Sequence, residues 1–124
     1  FTPANSSISR AQWWNEGQRK LLKGLRGSTN NLIYISDTPR PQRDIPNCLA
    51  SKDVKSCNTT QETPVKIING FQKIDPTPWL CSDQCLAIQD GYVVYRDASH
   101  ISVAAALALK PQLEAALLEK GLFS

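Results

Sequence analysis

The sequence predicts a layered α/β fold with parallel strands, and three observations carry that expectation. Helix-like and strand-like segments alternate along the chain. The strand-like runs are short, apolar and rich in β-formers. The chain of 124 residues, 41% hydrophobic and 20% charged, is long enough for one core and too mixed in composition for a disordered tail. No run approaches the ~20 apolar residues of a membrane helix, and no signal-peptide pattern starts at Phe1. The net charge is only +3 and the basic residues are scattered, which argues against a nucleic-acid partner. Methionine is absent and the first residue is Phe1, so we expect a processed or excised piece of a longer protein.

Residues 1–10 are polar and aperiodic and read as a loose leader. Residues 11–26 read as a helix: Trp14, Leu21, Leu22 and Leu25 recur at helical spacing, and Gly27 follows as a stop. Trp13 and Trp14 are most simply core or rim anchors, with sugar stacking the alternative. Residues 32–36 form an apolar run bounded by Asn30-Asn31 and Asp37-Thr38-Pro39, the pattern of a buried parallel strand. The stretch 37–60 holds Pro39, Pro41, Pro46 and two cysteines. A loop this long in a small domain is functional or stapled, and the cysteines favour stapling. Arg40 and Arg43 within it read as solvated loop charges rather than an anion site.

Residues 62–70 suggest a helix ending at Gly70, and Phe71–Asp75 a second strand. A turn over 75–80 leads into the second cysteine pair. Gly91 opens Tyr92–Tyr95, a third strand. From Ser102 to Lys120 the chain is rich in Ala and Leu; this helix should break or kink at Pro111, which lacks an amide proton, and end at Gly121. Sequons at Asn5 and Asn58 arise easily by chance and carry little weight.

Cys48, Cys57, Cys81 and Cys85 are the four cysteines. Zinc sites use C-x-x-C spacings or nearby histidines. Here the pairs are nine and four apart and His100 is the sole histidine. Disulfides fit better and imply an oxidising, extracytoplasmic compartment. Three connectivities are open; local pairing, Cys48–Cys57 and Cys81–Cys85, is favoured.

His100 lies in Tyr95-Arg96-Asp97-Ala98-Ser99-His100-Ile101-Ser102, after an expected strand and before an expected helix. Strand carboxyl ends are where α/β proteins place chemistry. In a turn, Asp97 three residues ahead can reach the imidazole, fix its tautomer and leave the other ring nitrogen as a general base. The same spacing also occurs in plain helix caps.

This run, together with Asp75-Pro76-Thr77-Pro78-Trp79-Leu80-Cys81, Cys85, Ile35-Ser36-Asp37-Thr38-Pro39-Arg40-Pro41, Pro46-Asn47-Cys48-Leu49, Cys57 and Trp14, resembles the SGNH hydrolase-like domains fused to bacterial membrane acyltransferases, closest to actinobacterial ones. The likeness runs from residue 11 to about residue 120. It implies a flavodoxin-like, three-layer parallel-sheet domain of SGNH type, with residues 1–124 a single C-terminal fragment of it. It also implies His100 as general base and Asp97 as its orienting acid, with no cofactor or metal. The family's serine, in a Gly-Asp-Ser block, and its oxyanion glycine and asparagine have no counterpart in residues 1–124. Ser36 lacks the preceding Gly-Asp and reads as a strand-end serine. The serine is therefore expected outside this chain, which alone should be nearly inactive on esters.

The implied partners are an acyl donor, a cell-envelope glycan acceptor, and the missing N-terminal half or a membrane acyltransferase domain. The implied location is the cell surface, tethered by an upstream domain. Two other readings compete. One is a disulfide-stapled glycan- or protein-binding module using Trp13, Trp14 and Trp79. The other is a fragment that folds only by pairing an exposed sheet edge with a second copy or with the missing half.

Overall fold

In the computed structural model, residues 7–61 and 69–122 are described. They divide into two compact units, one of residues 7–34 and 69–73 and the other of residues 35–61 and 74–122. Helices and strands alternate as an α/β chain should, but among the described residues the strands pair only in twos. Each strand spans two or three residues.

The first unit is led by α1 (Arg10–Arg26). Its start is set by Ser9, whose hydroxyl accepts from the Gln12 amide at 3.2 Å while the Gln12 side chain accepts from the Ser9 amide at 2.8 Å. This reciprocal capping box satisfies two amide protons that a helix start leaves unpaired. So the polar leader contributes the cap at Ser9, and Gly27 is the C-cap as expected. The apolar spacing predicts a buried stripe, yet only Gln18 and Leu22 are buried. Trp14 remains 43% exposed, and Leu21 and Leu25 also face solvent. The periodicity forms the helix; the surface to cover most of its stripe is not among this unit's described residues. Leu22 packs so closely on Gly70 that a Cβ at position 70 would come within 2.5 Å of its Cδ2. Gly70 has φ +113°, where other residues are strained. The helix expected over 62–70 otherwise falls on residues 62–68, outside the described residues, as does the Asn5 sequon.

The strands β1 (Ile33–Ile35) and β2 (Gln72–Ile74) run through the division, and each unit holds its own part of their ladder. In the first unit the Gln72 amide donates to the Leu32 carbonyl at 3.2 Å, and Tyr34 packs on Phe71 with ring centroids 5.6 Å apart. In the second, the Ser36 amide donates to the Ile74 carbonyl at 2.9 Å. The buried strand expected at 32–36 is half-buried, and Ile35 is exposed.

The second unit is built on Ile45, Leu80, Ala87, Val94, Tyr95, Ala105 and Leu109 with three of the four half-cystines buried among them. Cys48 bonds to Cys57 and Cys81 to Cys85, the local pairing. The stapled stretch 37–60 contains two helical turns that the prolines concealed. These are α2 (Ile45–Leu49), capped by the Asp44 carboxylate on the Asn47 amide, and α3 (Val54–Cys57), capped by Asp53 on Ser56. The bond to Ser56 also draws the Asp53 carboxyl below its usual pKa. A further turn, α4 (Thr77–Leu80), leads to Cys81. Thr59 and Cys85 exchange backbone hydrogen bonds at 3.1 and 2.6 Å, and the Asn58 side chain accepts from the Ala87 amide. The irregular segment is thus sewn to the core at Cys85 and Ala87, the C-terminal end of the second disulfide.

The strands β3 (Ile88–Gln89) and β4 (Tyr92–Val93) form an antiparallel hairpin rather than adding to a parallel sheet. Asp90 and Gly91 turn it with φ of +49° and +83°, the left-handed pair that two-residue hairpins need. The C-terminal helix breaks as Pro111 requires: α5 (Val103–Ala108) ends at Leu109, and α6 (Lys110–Glu119) begins with the proline in its first turn. Of α5 only Ala105 is buried; Val103 and Leu107 are 72% and 68% exposed.

The disulfides close loops of sequence separation 9 and 4, for which chain entropy gives stabilisation of about 2.5 and about 2 kcal/mol. Replacing Cys48 and Cys57 by alanine should therefore cost at least as much stability in urea unfolding as replacing Cys81 and Cys85. A cost below about 0.5 kcal/mol for each pair would contradict the stapling role.

Candidate functional site

The loop that carries Asp97 and His100 is a continuation of the hairpin. After β4, the Val94 amide donates to the Ala87 carbonyl at 3.0 Å, so the strand remains tied into the unit. Tyr95, fully buried, pairs antiparallel with Ile101. The Arg96 amide donates to the His100 carbonyl at 3.0 Å and the Ser102 amide to the Val94 carbonyl at 2.8 Å. These bonds close residues 96–100 into a small loop whose two stems are fixed. The Ser102 hydroxyl holds the exit: it donates to the Val93 carbonyl at 2.6 Å and accepts from the Ala105 amide at the start of α5. The Tyr95 phenol reaches Cys81 Sγ at 3.5 Å, and burial pushes its pKa up to about 12.

Inside the loop the Asp97 carboxylate is the hub. Its Oδ1 accepts from the Ser99 amide at 2.8 Å, the Ser99 hydroxyl at 3.2 Å and the His100 amide at 2.7 Å. The imidazole Nδ1 stands 3.0 Å from Oδ1 and 2.9 Å from Oδ2. Arg96 Nε lies 3.5 Å from Oδ2. The Ser99 amide, the His100 ring and the His100 amide all favour the ionised acid, so its pKa is held well below the usual carboxylate range. An ionised carboxylate can only accept, so Nδ1 must carry the proton it donates. Nε2 is then the unprotonated nitrogen of the neutral ring. No hydrogen-bond partner meets it among the described residues.

The sequence spacing therefore brings Asp97 and His100 together, and it does so at the surface. The side chains are 39% and 63% exposed. Exposed ion pairs contribute little stability. Asp97 caps the loop through two backbone amides whether or not a ring is present, so the imidazole contact adds direction rather than stability. The lone pair on Nε2 suits a proton acceptor for a group brought from outside the loop.

Ser99 is the site member that spacing alone did not disclose. Its hydroxyl lies 3.1 Å from His100 Nδ1 as well as on Asp97. The signal was present: an Asp followed two residues later by a hydroxyl residue is a pattern in which the carboxylate gathers local amides and hydroxyls. Ser99 faces the protonated nitrogen, so it has no base to take its own proton and is not placed as a nucleophile. Ser36 donates its hydroxyl to the Ile74 carbonyl at 3.3 Å, the plain strand-end role. Arg40 pairs with Asp37 at 3.0 Å, and Arg43 donates to the Ser56 carbonyl at 2.8 Å, so both are engaged locally. Trp79 is half-buried against the core of its unit.

Among the described residues no three His, Cys, Asp or Glu side chains cluster as metal ligands, and no helix is long and apolar enough to cross a membrane. All four cysteines are paired in disulfides, the usual state in oxidising compartments.

Because the folded pKa of Asp97 is depressed, its ionisation stabilises the fold above the ordinary carboxylate range. That contribution fades only as pH falls through the lowered folded value. Carbon-detected NMR should place the Asp97 titration clearly below the usual 3.8, and Asp97→Asn should remove this part of the acid dependence. A midpoint at or above 3.8 would contradict the hub.

Comparison with curated proteins and with solved structures found no match. A family model described as SGNH domain (fused to AT3 domains) matches residues 2–115. The chain therefore belongs to the family of SGNH domains that occur fused to AT3 acyltransferase domains.

Proposed function

We propose that the chain is the C-terminal part of an extracytoplasmic SGNH-type O-acyltransferase or esterase domain that transfers acyl groups to cell-envelope glycans. One observation carries this reading: the Asp97 carboxylate on Nδ1, with Nε2 left unpartnered, in a chain of this family. His100 is the general base and Asp97 its orienting acid. The serine and the oxyanion donors come from residues outside the chain, since residues 1–124 hold no Gly-Asp-Ser block. Those residues complete a three-layer, flavodoxin-like parallel sheet to which the short strands here contribute. The whole stretch 1–124 acts as one domain fragment at the cell surface, tethered through a membrane acyltransferase domain.

The chemistry then runs in two transfers. His100 Nε2 takes the proton from the serine hydroxyl as its oxygen bonds to the acyl carbonyl carbon of the donor. The imidazolium is stabilised by Asp97 through Nδ1–H. The oxyanion is held by donors worth ~2.7–4 kcal/mol each. Collapse breaks the donor's acyl bond, and the departing group leaves with the proton from Nε2. A sugar hydroxyl, or water, then gives its proton to Nε2 and attacks the acyl-serine; collapse breaks the serine ester bond, Nε2 returns the proton to the serine oxygen, and the sugar ester, or with water the free acid, is released.

Two features favour this over a tryptophan-based binding module. Trp79 is half-buried against the core of its unit, and the loop at His100 is organised around ring orientation. A second copy joined by a sheet edge is the weaker reading, because each strand offers two or three residues of edge.

In the full-length protein, His100→Ala should lower acyl transfer by about 10²–10⁴-fold with glycan binding retained, and Asp97→Asn should lower it by less. Unchanged transfer in His100→Ala would overturn the proposal. The 124-residue chain alone should hydrolyse nitrophenyl acetate no faster than its His100→Ala variant. A His100-dependent turnover would contradict a serine supplied from outside.

A further inference from the structure

We propose that Arg96 is a positioning residue that acts on His100 by charge: its guanidinium, seated at Asp97 Oδ2, opposes protonation of the ring and helps keep the base neutral until a hydroxyl arrives. What this does for catalysis rests on the reading of His100 as base; the effect on protonation does not. Two distances to one atom carry the inference. Arg96 Nε is 3.5 Å from Asp97 Oδ2, and His100 Nδ1 is 2.9 Å from the same oxygen. The cation and the ring nitrogen are therefore closer together than the ~8 Å Debye length of physiological salt. Arginine stays charged throughout the range in which histidine titrates. The ring thus takes up its proton in the field of one fixed anion and one fixed cation. Asp97 favours imidazolium, and Arg96 offsets part of that pull. An acid alone beside the ring stabilises the imidazolium formed in the reaction, but it also protonates the base beforehand. Arg96 limits both effects and so sets the balance between them.

The elements around the ring supply no competing charge. α5 (Val103–Ala108) carries no titratable side chain, and neither do Ile101 and Ser102. The Tyr95 phenol is buried against Cys81 Sγ. Among the described residues no other charged side chain forms an ion pair with Asp97 or His100. The Arg96 side chain is 63% exposed, and its amide bond to the His100 carbonyl belongs to the backbone. Replacing the side chain therefore removes the charge and leaves the loop closure, the amide bonds to Asp97 and the Tyr95–Ile101 pairing in place. At this separation in water, a unit charge changes a protonation equilibrium by about 2- to 4-fold at low salt, a shift of about 0.3–0.6 pH unit.

His100 is the only histidine, so its ring signals in the 124-residue chain are followed by NMR without assignment. In about 10 mM salt, where the Debye length is ~30 Å, Arg96→Gln should raise the titration midpoint by about 0.3–0.6 pH unit. Arg96→Lys should stay near the wild type. Salt at about 1 M should erase most of the difference, because the Debye length falls to ~3 Å. An unchanged or lowered midpoint in Arg96→Gln overturns the inference. So does a lysine variant that behaves like glutamine, or a rise that salt leaves intact. If Arg96→Gln loses the amide signals of residues 95–102, Arg96→Met, which keeps an apolar stem, takes its place under the same criteria. The acidic limb of acyl transfer by the full-length protein is a separate readout, since it moves with the midpoint when His100 is the base. A shifted titration with an unshifted limb supports the Arg96 effect and counts against the base reading, so failure of one claim is distinguishable from failure of the other.

Discussion

One carboxylate organises the site. Asp97 stands between the two stems of a loop and gathers two backbone amides, a hydroxyl and a ring nitrogen. Each donor favours the ionised acid, and the ionised acid is favoured by donors because it is only partly solvated. The loop shape and the ring direction therefore come from the same charge. Removing the negative charge does not simply break one contact; it weakens every bond made to the acceptor around which residues 96–100 are wound.

That loop is exposed, so its rigidity has to come from below. Tyr95 and Val94, both wholly buried, supply one stem, and the Ser102 cap on α5 supplies the other. Beneath them the second unit has little regular structure to depend on. Its strands are two or three residues long and several of its helices are single turns. The disulfides compensate by fixing irregular segments where a larger sheet would otherwise hold them. Cys81 touches the Tyr95 phenol, and Cys85 exchanges backbone bonds with Thr59. The covalent framework and the loop stem thus share a core, while the chemistry faces outward on its rim.

Much of this could be read in the residues, and the failures have physical causes. The helix at 11–26, the break at Pro111 and the strands at 32–36 and 71–75 follow from spacing and from proline and glycine chemistry, which act locally. Burial does not. Trp14, Leu21 and Leu25 repeat as a core-facing stripe should, yet they are exposed, because periodicity records a face and not what covers it. Asp90-Gly91 is a hairpin signal, but alternating helices and strands point equally to parallel pairing, and the antiparallel pair is decided by the left-handed turn. The turns α2 and α3 were hidden since Pro46 and the cysteines suggest a loop, while Asp44 and Asp53 act as caps. At the site, Asp97 and His100 were legible because three-residue spacing in a turn has few outcomes. Ser99 was not, because a serine in a turn faces solvent as readily as a neighbour, and only the fold decides.

The central claim is that His100 takes a proton from a serine hydroxyl that lies outside residues 1–124. Fluorophosphonate labelling of the full-length protein, followed by mapping of the modified peptide, tests it most directly. The account predicts a single labelled serine outside this stretch, with labelling lost in His100→Ala. A label on a serine within residues 1–124, Ser36 or Ser99 included, or labelling that persists without His100, would contradict it.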